Sequence, residues 1–314
     1  MRNKIIRLVM IFSIPLLFLV LAVISKIEET QITKKYPAVG AYVSAGDVSL
    51  HYLRKGMSNE KTLVLIHGRD GTLQEYTYSF FKNAAENFDV IAFDRPGYGY
   101  SDAFKDGDMS LKHQAEAIHT ALLNLGVVEP VFVGHSYGGA VCLEYLLDYP
   151  ESASGALLLG PAAYMNEDLE STIMSFPNIP VIGPILTYTI LLPLGRGSAK
   201  HIYENAFAPE AANEEYANEM SSLYLRPVSF KATARELLYM ESDVRSISPR
   251  YNEIKIPVVV MAGTEDKVVD FKENAEALVT ALPLGKLVTV AGAGHKLHHS
   301  HGDLVIEELK ELMQ

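Results

Sequence analysis

The chain has 314 residues, a length that accommodates one large α/β domain with an insertion or two smaller domains. Its 27 basic and 38 acidic residues give a formal net charge of -11, which excludes the extended basic surface that nucleic-acid binding requires. The single cysteine, Cys142, excludes an internal disulfide and the cysteine sets of structural zinc modules.

The N-terminal segment is predicted to be separate from the domain that follows. Residues 5–24 are almost continuously apolar and approach the ~20 residues that cross a bilayer as a helix. Arg2, Lys4 and Arg7 precede or open this run and favour a cytoplasmic N-terminus, with the rest of the chain translocated. We therefore predict that residues 1–25 form a membrane anchor that leaves the domain on the extracytoplasmic side. The alternative is a signal peptide, whose cleavage would release a secreted protein.

Residues 26–40 are predicted to form a polar linker, after which the first strands begin. Two alternating segments, 41–45 and 48–53, are joined by a Gly-Asp pair that favours a tight hairpin turn. The next segment, 61–66, is a nearly unbroken apolar run and is typical of a strand buried on both faces. Strands and helices are then predicted to alternate over 75–87 (helix), 89–93 (strand) and 110–125 (helix).

The most informative stretch is the turn Gly134-His135-Ser136-Tyr137-Gly138, which separates an apolar strand from a predicted helix. Its form is G-x-S-x-G, in which a serine lies on a strained turn and its hydroxyl is exposed at the end of the strand. The motif alone is a weak signal because glycine and serine are common. The strand before it and the helix after it strengthen the assignment.

The alternation of strands and helices stops after a strand predicted at 155–159. Residues 162–251 are predicted to be an inserted helical cap, because prolines and polar residues within their apolar segment argue against a second membrane span. Met174 and Phe176 are candidate substrate-binding residues. With them, a set of apolar residues could line a cleft for an acyl chain or close the cap's own core: Ile179, Val181, Ile182, Ile185 and Leu186.

A serine nucleophile needs a base within hydrogen-bond reach and a third group that orients the base. The predicted strand 257–262 leads to Asp266, and the predicted strand 286–290 leads to His295. Both residues therefore lie where an open α/β sheet collects its functional groups, at the carboxyl ends of the strands. The chain order Ser, Asp, His is the one expected for this triad on this type of sheet.

Two alternatives stay open around this triad. Glu265 or Asp270 could orient the base in place of Asp266, because both lie in the same loop. Three more histidines follow His295 closely and are predicted to be solvated at the start of the last helix: His298, His299 and His301. We predict no metal site there, since the triad already accounts for His295.

The chain resembles the α/β-hydrolase superfamily from residue 41 to the C-terminus. The resemblance rests on motifs in family order: HG at 67–68, DRPGYGYS at 94–101, GHSYGG at 134–139, GTED at 263–266 and GAGH at 292–295. It implies the α/β-hydrolase fold, with a mostly parallel eight-stranded sheet flanked by helices. The core would comprise residues 41–161 and 252–314, with the cap at 162–251 between them.

The resemblance also implies roles for individual residues. Ser136 would be the nucleophile, His295 the general base and then the general acid, and Asp266 the group that orients His295. The backbone N–H groups of Tyr137 and Arg69 would form an oxyanion hole. No metal and no organic cofactor are implied.

Related enzymes that hydrolyse epoxides or haloalkanes place an aspartate where this chain has Ser136. The resemblance therefore implies acyl transfer to water, with an acyl-enzyme intermediate and a carboxylic ester as substrate. Alternatives on the same fold are a C–C bond hydrolase and a cofactor-free perhydrolase or haloperoxidase. A non-catalytic binding protein that keeps the fold is the alternative of another class. The expected partners are a small-molecule ester, with a lipid-like ester as a hypothesis, and a membrane through the N-terminal helix.

Overall fold

The computed structural model describes residues 2–56, 61–165 and 175–314, with the backbone alone for residues 2–12 and 14. At its centre is a sheet of eight strands in the order β1-β2-β4-β3-β5-β6-β7-β8. The strands are β1 (Ala41–Ala45), β2 (Val48–Lys55), β3 (Thr62–Ile66), β4 (Asp89–Phe93), β5 (Val131–His135), β6 (Gly155–Leu159), β7 (Val258–Gly263) and β8 (Gly285–Val290).

Most of this sheet is parallel. Strand β2 pairs antiparallel with β1 and with β4, and every other pair of neighbours is parallel. Strands β4 to β7 are buried at every position, as expected where helices cover both faces of a parallel sheet. The predicted mostly parallel, eight-stranded sheet is confirmed.

Helices flank the sheet and also form much of the described part of the segment between β6 and β7. They are α1 (Arg2–Lys35), α2 (Gln74–Thr77), α3 (Phe81–Ala84), α4 (Leu111–Asn124), α5 (Tyr137–Asp148), α6 (Ile182–Leu186), α7 (Leu192–Gly195), α8 (Ala199–Asn205), α9 (Glu214–Tyr224), α10 (Pro227–Ile247), α11 (Ala277–Ala281), α12 (Leu297–Ser300) and α13 (Gly302–Leu312). The predicted helix over 75–87 is instead two short helices, α2 and α3.

Alternate residues of the strands belong to different apolar cores. Leu63 and Leu65 pack in the core that includes α3 and α13, whereas Val64 and Ile66 pack in the core that includes α4 and α5. This follows from the two-residue period of a strand, which sends successive side chains to opposite faces. The sheet therefore lies between two helical layers, and its carboxyl edge remains available to the loops that carry polar side chains.

The described residues between β6 and β7, from 175 onward, form helices and helical turns and no strand. We call this helical segment the cap. Its longest helix, α10, packs against α4 and α5 of the core. The cap therefore covers the carboxyl edge of the sheet from one side.

Helix α1 corrects the prediction of a linker that begins at residue 26, because the helix continues without a break to Lys35. Its second half is attached to the cap. Ser25 is 3% exposed, and its hydroxyl donates a hydrogen bond of 2.7 Å to the carbonyl oxygen of Tyr188. Glu28 forms an ion pair with Arg196 of the cap. The residues expected to separate the N-terminal segment from the domain instead connect the two.

The predicted transmembrane helix is not supported. Within the part of the chain that the structure describes, no helix combines the length and the apolar character needed to cross a bilayer. The side chains of 5–12 and of Ile14, which belong to the expected span, lie outside the described set. Downstream of the span, α1 carries charged residues such as Lys26 and Glu29, which form an ion pair with each other.

Candidate active site

Ser136 lies between β5 and α5 in a backbone conformation that side chains rarely adopt, with φ 53° and ψ -122°. Glycines make this turn possible. A Cβ atom on Gly138 would lie 2.2 Å from the carbonyl oxygen of Ile66, and one on Gly134 would lie 2.6 Å from the carbonyl oxygen of Gly138. The strand and the helix can approach closely only because both positions lack a side chain. Strain of this kind costs roughly 1–3 kcal/mol and is typical of functional turns.

The backbone around Ser136 is held by hydrogen bonds to the neighbouring strand end. The N–H of Ser136 donates to the carbonyl oxygen of Leu159 at 3.0 Å. The carbonyl oxygen of Ser136 accepts from the N–H groups of Gly139 and Ala162 at 2.9 and 3.1 Å. These contacts fix the position of the serine relative to β6.

His295 and Asp266 form a hydrogen-bonded pair at the ends of β8 and β7. Nδ1 of His295 lies 2.7 Å from Oδ2 of Asp266, and their side chains are only 4% and 2% exposed. The other carboxylate oxygen accepts backbone N–H groups from Val268 and Val269 at 2.8 and 2.9 Å. The carboxylate thus fixes the ring and favours the tautomer whose Nε2 is free to accept a proton.

The two alternative acids occupy other positions. Asp270 caps the following helical turn, where its carboxylate accepts the N–H of Glu273 at 2.8 Å. Glu265 is exposed to solvent. Of the three carboxylates in this loop, Asp266 is therefore the one that contacts His295.

The two predicted oxyanion donors lie at the same edge of the sheet. Tyr137 is the first residue of α5, where the N–H groups of a helix have no intrahelical partner and favour negative charge. Arg69 follows the His67-Gly68 pair at the end of β3. Among the described residues, no backbone carbonyl accepts a hydrogen bond from the N–H of either Arg69 or Tyr137. Both amides are therefore available to a ligand.

A cavity of about 200 Å³ brings Ser136, His295 and Arg69 together. Its apolar lining consists of Ala162, Met165, Ile202, Tyr203, Ala206, Met240, Val268 and Val269. Phe176 does not belong to this lining: it begins a short helical turn and is 37% exposed. Met174 lies outside the described residues. The apolar cap residues expected to contact a substrate are thus replaced by residues of α8, α10 and the loop after β7.

Two residues whose contacts the sequence did not reveal, Arg95 and Glu236, stabilise the loop that carries Arg69. The guanidinium of Arg95 donates to the carbonyl oxygens of His67 and Gly68, both at 3.0 Å. It also forms an ion pair with Glu236 of α10, and both side chains are completely buried. Arg95 therefore connects the loop after β3, which carries Arg69, to the cap. Only its role in fixing the local turn could be expected from the motif.

His67 is a buried neutral residue of the same loop. Its Nε2 accepts the N–H of Arg95 at 3.0 Å, so Nδ1 carries the proton that is donated to the carbonyl oxygen of Gly68 at 2.7 Å. Burial lowers the pKa of His67 to about 3. This supports the interpretation that His67 stabilises loop packing rather than accepting a proton.

The prediction that His298 is solvated is wrong. Its side chain is completely buried beside Glu75 of α2, with 3.1 Å between Nε2 and Oε1. His135 and Lys296 contact the same carboxylate oxygen at 2.5 and 3.0 Å. A second cluster of ionisable groups therefore lies next to the triad.

Comparisons with known proteins identify the fold family of the chain. A family model for the alpha/beta hydrolase fold matches residues 61–302. The uncharacterized hydrolase YugF of Bacillus subtilis (strain 168) is 25% identical over 274 residues, which cover 85% of this chain and 95% of YugF. The 2-hydroxy-6-oxo-6-phenylhexa-2,4-dienoate hydrolase of Burkholderia cepacia is 24% identical, over 79% of this chain and 90% of that enzyme.

One solved structure aligns with almost the whole chain. It is a membrane phospholipase A, described as a bacterial virulence factor, and it superposes with a TM-score of 0.67 at 20% identity. The superposition covers 99% of this chain and 98% of that chain. At this identity the similarity establishes a shared fold.

Proposed function

Because the chain belongs to the alpha/beta hydrolase fold family, we propose that it is a serine hydrolase that cleaves carboxylic esters through an acyl-enzyme intermediate. The observation that carries this proposal is the pairing of His295 with Asp266 at 2.7 Å, together with a cavity that His295 and Ser136 both line. In this proposal Ser136 is the nucleophile, His295 the base and Asp266 the orienting acid.

The first half of the reaction forms the acyl-enzyme. Oγ of Ser136 attacks the ester carbonyl carbon while Nε2 of His295 takes the hydroxyl proton. The negative charge that develops on the carbonyl oxygen is stabilised by the N–H groups of Arg69 and Tyr137, each of which contributes about 3 kcal/mol. The C–O bond to the alcohol then breaks, and His295 returns the proton to the leaving oxygen.

The second half releases the acid. A water molecule gives its proton to Nε2 of His295 and attacks the acyl carbon through the same oxyanion intermediate. Collapse of this intermediate breaks the bond to Oγ of Ser136, which recovers the proton. Asp266 remains ionised throughout and stabilises the imidazolium form of His295.

The lining of the cavity supports an apolar acyl group. Eight of the residues around Ser136 present apolar or aromatic surface: Ala162, Met165, Ile202, Tyr203, Ala206, Met240, Val268 and Val269. A structural relative that covers the full length of the chain is a membrane phospholipase A. We therefore propose lipid-like esters as the preferred substrates within the ester class.

We also propose that the protein associates with a lipid bilayer through α1. Seven apolar side chains of this helix are between 40% and 60% exposed: Leu16, Leu17, Leu19, Val20, Val23, Ile24 and Ile27. At 100° per residue they form a continuous apolar face on the side opposite Ser25, which is buried against the cap. The basic residues Arg2, Lys4 and Arg7 favour anionic lipid headgroups.

A C–C bond hydrolase is the second candidate, because a relative of 24% identity hydrolyses a dienoate. The same triad serves that reaction if the acyl fragment comes from a ketone. The two functions differ in substrate, so parallel assays separate them. Activity on a 2-hydroxy-6-oxo-dienoate that exceeds activity on every ester would favour the C–C reading.

The direct test is hydrolysis of p-nitrophenyl esters of increasing chain length by wild type and the Ser136→Ala variant. We expect kcat/KM to rise from acetyl to octanoyl and to depend on Ser136. Ser246→Ala is the matched control, since it removes an exposed hydroxyl whose only described hydrogen bond is to the carbonyl oxygen of Asp243. A strict preference for acetyl would contradict the lipid-like substrate, and equal rates in Ser136→Ala would contradict the ester hydrolase.

A further inference from the structure

Glu75 lies at the centre of a buried cluster that touches both catalytic loops. His135 precedes Ser136, and its Nδ1 lies 2.5 Å from Oε1 of Glu75. Lys296 follows His295, and its Nζ lies 3.0 Å from the same oxygen. Nε2 of His298, in the same loop as Lys296, lies 3.1 Å from Oε1 of Glu75. These four side chains are at most 5% exposed.

The charges within this cluster balance. Burial opposes ionisation of Glu75, but His135 and Lys296 hold the pKa of its carboxyl well below its usual range. Burial lowers the pKa of His135 and of His298 to about 3, so both rings are neutral at pH 7. The cluster then holds one carboxylate and one ammonium. A neutral His135 carries one proton, which serves either the contact of Nδ1 with Glu75 at 2.5 Å or that of Nε2 with the carbonyl oxygen of His295 at 3.2 Å.

A divalent cation is the main competing occupant of this cluster. Glu75, His135 and His298 offer ligand atoms that all lie within 4.8 Å of one another. However, Lys296 already neutralises the carboxylate, so a divalent cation would leave uncompensated positive charge in a buried site. Charge balance therefore favours an ion-paired cluster of protein groups.

We propose that Glu75 is a positioning residue that fixes the Ser136 loop and the His295 loop relative to each other. The inference rests on the proposed serine hydrolase function, because it assigns the two loops their nucleophile and base. Glu75 belongs to α2, which is separate from both loops in the chain, and it contacts one side chain of the first loop and two of the second. Removing the carboxylate leaves Lys296 as an unpaired buried charge and weakens the connection between the two loops, which then depends on contacts such as that of His135 Nε2 with the carbonyl oxygen of His295 at 3.2 Å.

The backbone near Glu75 is adapted to its carboxylate. A Cβ atom on Gly71 would lie 2.8 Å from Oε2 of Glu75 and 3.0 Å from Nδ1 of His67. A glycine at this position therefore leaves room for the carboxylate. It also provides a second way to displace Glu75 without changing its charge.

The experiment measures hydrogen exchange of backbone amides by mass spectrometry in the full chain, together with kcat and KM on the best ester. Glu75→Gln removes the charge and keeps the shape, and Gly71→Ala displaces the carboxylate. Asp89→Asn is the matched control, because Asp89 is 4% exposed and its carboxylate binds Arg54 at the opposite edge of the sheet. All three variants are compared with wild type at the same distance below their unfolding temperatures.

We expect exchange to be at least about 10-fold faster in both loops, 134–138 and 292–300, in Glu75→Gln and Gly71→Ala. We also expect kcat to fall about 10- to 100-fold while KM stays unchanged, since the reacting groups are misplaced and the cavity lining is kept. Asp89→Asn should leave exchange in both loops and kcat unchanged. If Glu75→Gln does not fold, Gly71→Ala supplies the same two measurements.

Unchanged exchange in the two loops of a folded Glu75→Gln variant would overturn the inference. Faster exchange with wild-type kcat would overturn it as well, because the loops would then be free without a cost to the reaction. Binding of one equivalent of Zn²⁺ by wild type, lost in Glu75→Gln, would overturn it in favour of a metal site. The exchange arm needs no substrate, so it decides the inference even if Ser136→Ala shows that the proposed function is wrong.

Discussion

The carboxylate of Asp266 contacts His295 through one oxygen, at 2.7 Å from Nδ1, and is fixed through the other by two backbone N–H groups. An amide in its place would present an N–H group where His295 needs an acceptor, or release the backbone contacts. In Asp266→Asn we therefore expect kcat for ester hydrolysis to fall by about 10⁴-fold, because the ring adopts the wrong tautomer. Steady-state kinetics with purified variants measure this.

The control for this prediction is the neighbouring carboxylate that does not contact the base. Glu265→Gln changes an exposed side chain in the same loop and should retain wild-type kcat. If kcat fell as much in Glu265→Gln as in Asp266→Asn, the assignment of Asp266 as the orienting acid would be contradicted.

The buried ion pair of Arg95 and Glu236 joins the cap to the core. We therefore expect its removal to lower the free energy of unfolding. Glu236→Ala leaves the guanidinium buried without a counter-charge, which costs about 3–5 kcal/mol of the free energy of unfolding. Urea denaturation measures this cost. On the same helix, Glu241 pairs with Arg245 at an exposed site, and Glu241→Ala should cost less than about 0.5 kcal/mol. Similar losses in the two variants would contradict a structural role for the buried pair.

Stability should fall when the pH is lowered from 6.5 towards 3, because of three buried histidines. In the folded state, burial lowers the pKa of His67, His135 and His298 to about 3. Between these limits the unfolded chain binds protons that the folded chain does not, so the free energy of unfolding rises with pH. Each histidine contributes about 1.4 kcal/mol per pH unit in this window.

Proton uptake on unfolding measures this linkage directly. At pH 5 we expect these three rings together to take up about three protons on urea unfolding, and His299, whose pKa burial also lowers, to add to this uptake. A free energy of unfolding that is the same at pH 7 and pH 5 would show that these rings are charged in the folded protein or accessible to solvent.

The apolar face of α1 predicts binding of the full-length protein to lipid vesicles. In a variant with Leu16, Leu19 and Val23 replaced by serine, co-sedimentation with vesicles of phosphatidylcholine and phosphatidylglycerol should weaken at least about 10-fold. The control variant replaces three exposed apolar residues on the surface of the α/β domain with serine: Leu123, Val128 and Leu284. Equal weakening in both variants, or no weakening in either, would contradict association through α1.

The sequence predicted those parts of the site that local patterns determine. Ser136, Asp266 and His295 each follow an apolar strand, and the carboxyl ends of parallel strands meet at one edge of a sheet. Their neighbourhood could therefore be inferred before any coordinates. The helix predicted over 110–125 is likewise observed as α4, where the hydroxyl of Ser110 caps the helix by accepting the N–H of His113.

Contacts between remote segments could not be predicted in this way. Glu75 and Glu236 lie on helices whose sequences resemble ordinary amphipathic segments, and their partners are fixed only by tertiary packing. His298 looks like a solvated residue in a histidine-rich stretch, yet it is buried beside Glu75. Phe176 was chosen because it is apolar, although the fold places residues of α8 and α10 in the cavity. Periodicity identifies an apolar face, but it does not identify the partner of that face.

The central claim is that Ser136 is an activated nucleophile, and reaction with a fluorophosphonate probe tests it most directly. The probe should form one covalent adduct with wild type, located by mass spectrometry on the peptide that contains Ser136. Ser136→Ala should remain unlabelled, while Ser246→Ala should label as wild type does. A folded wild-type protein that forms no adduct at Ser136 would contradict the account and favour a non-catalytic binding protein with this fold.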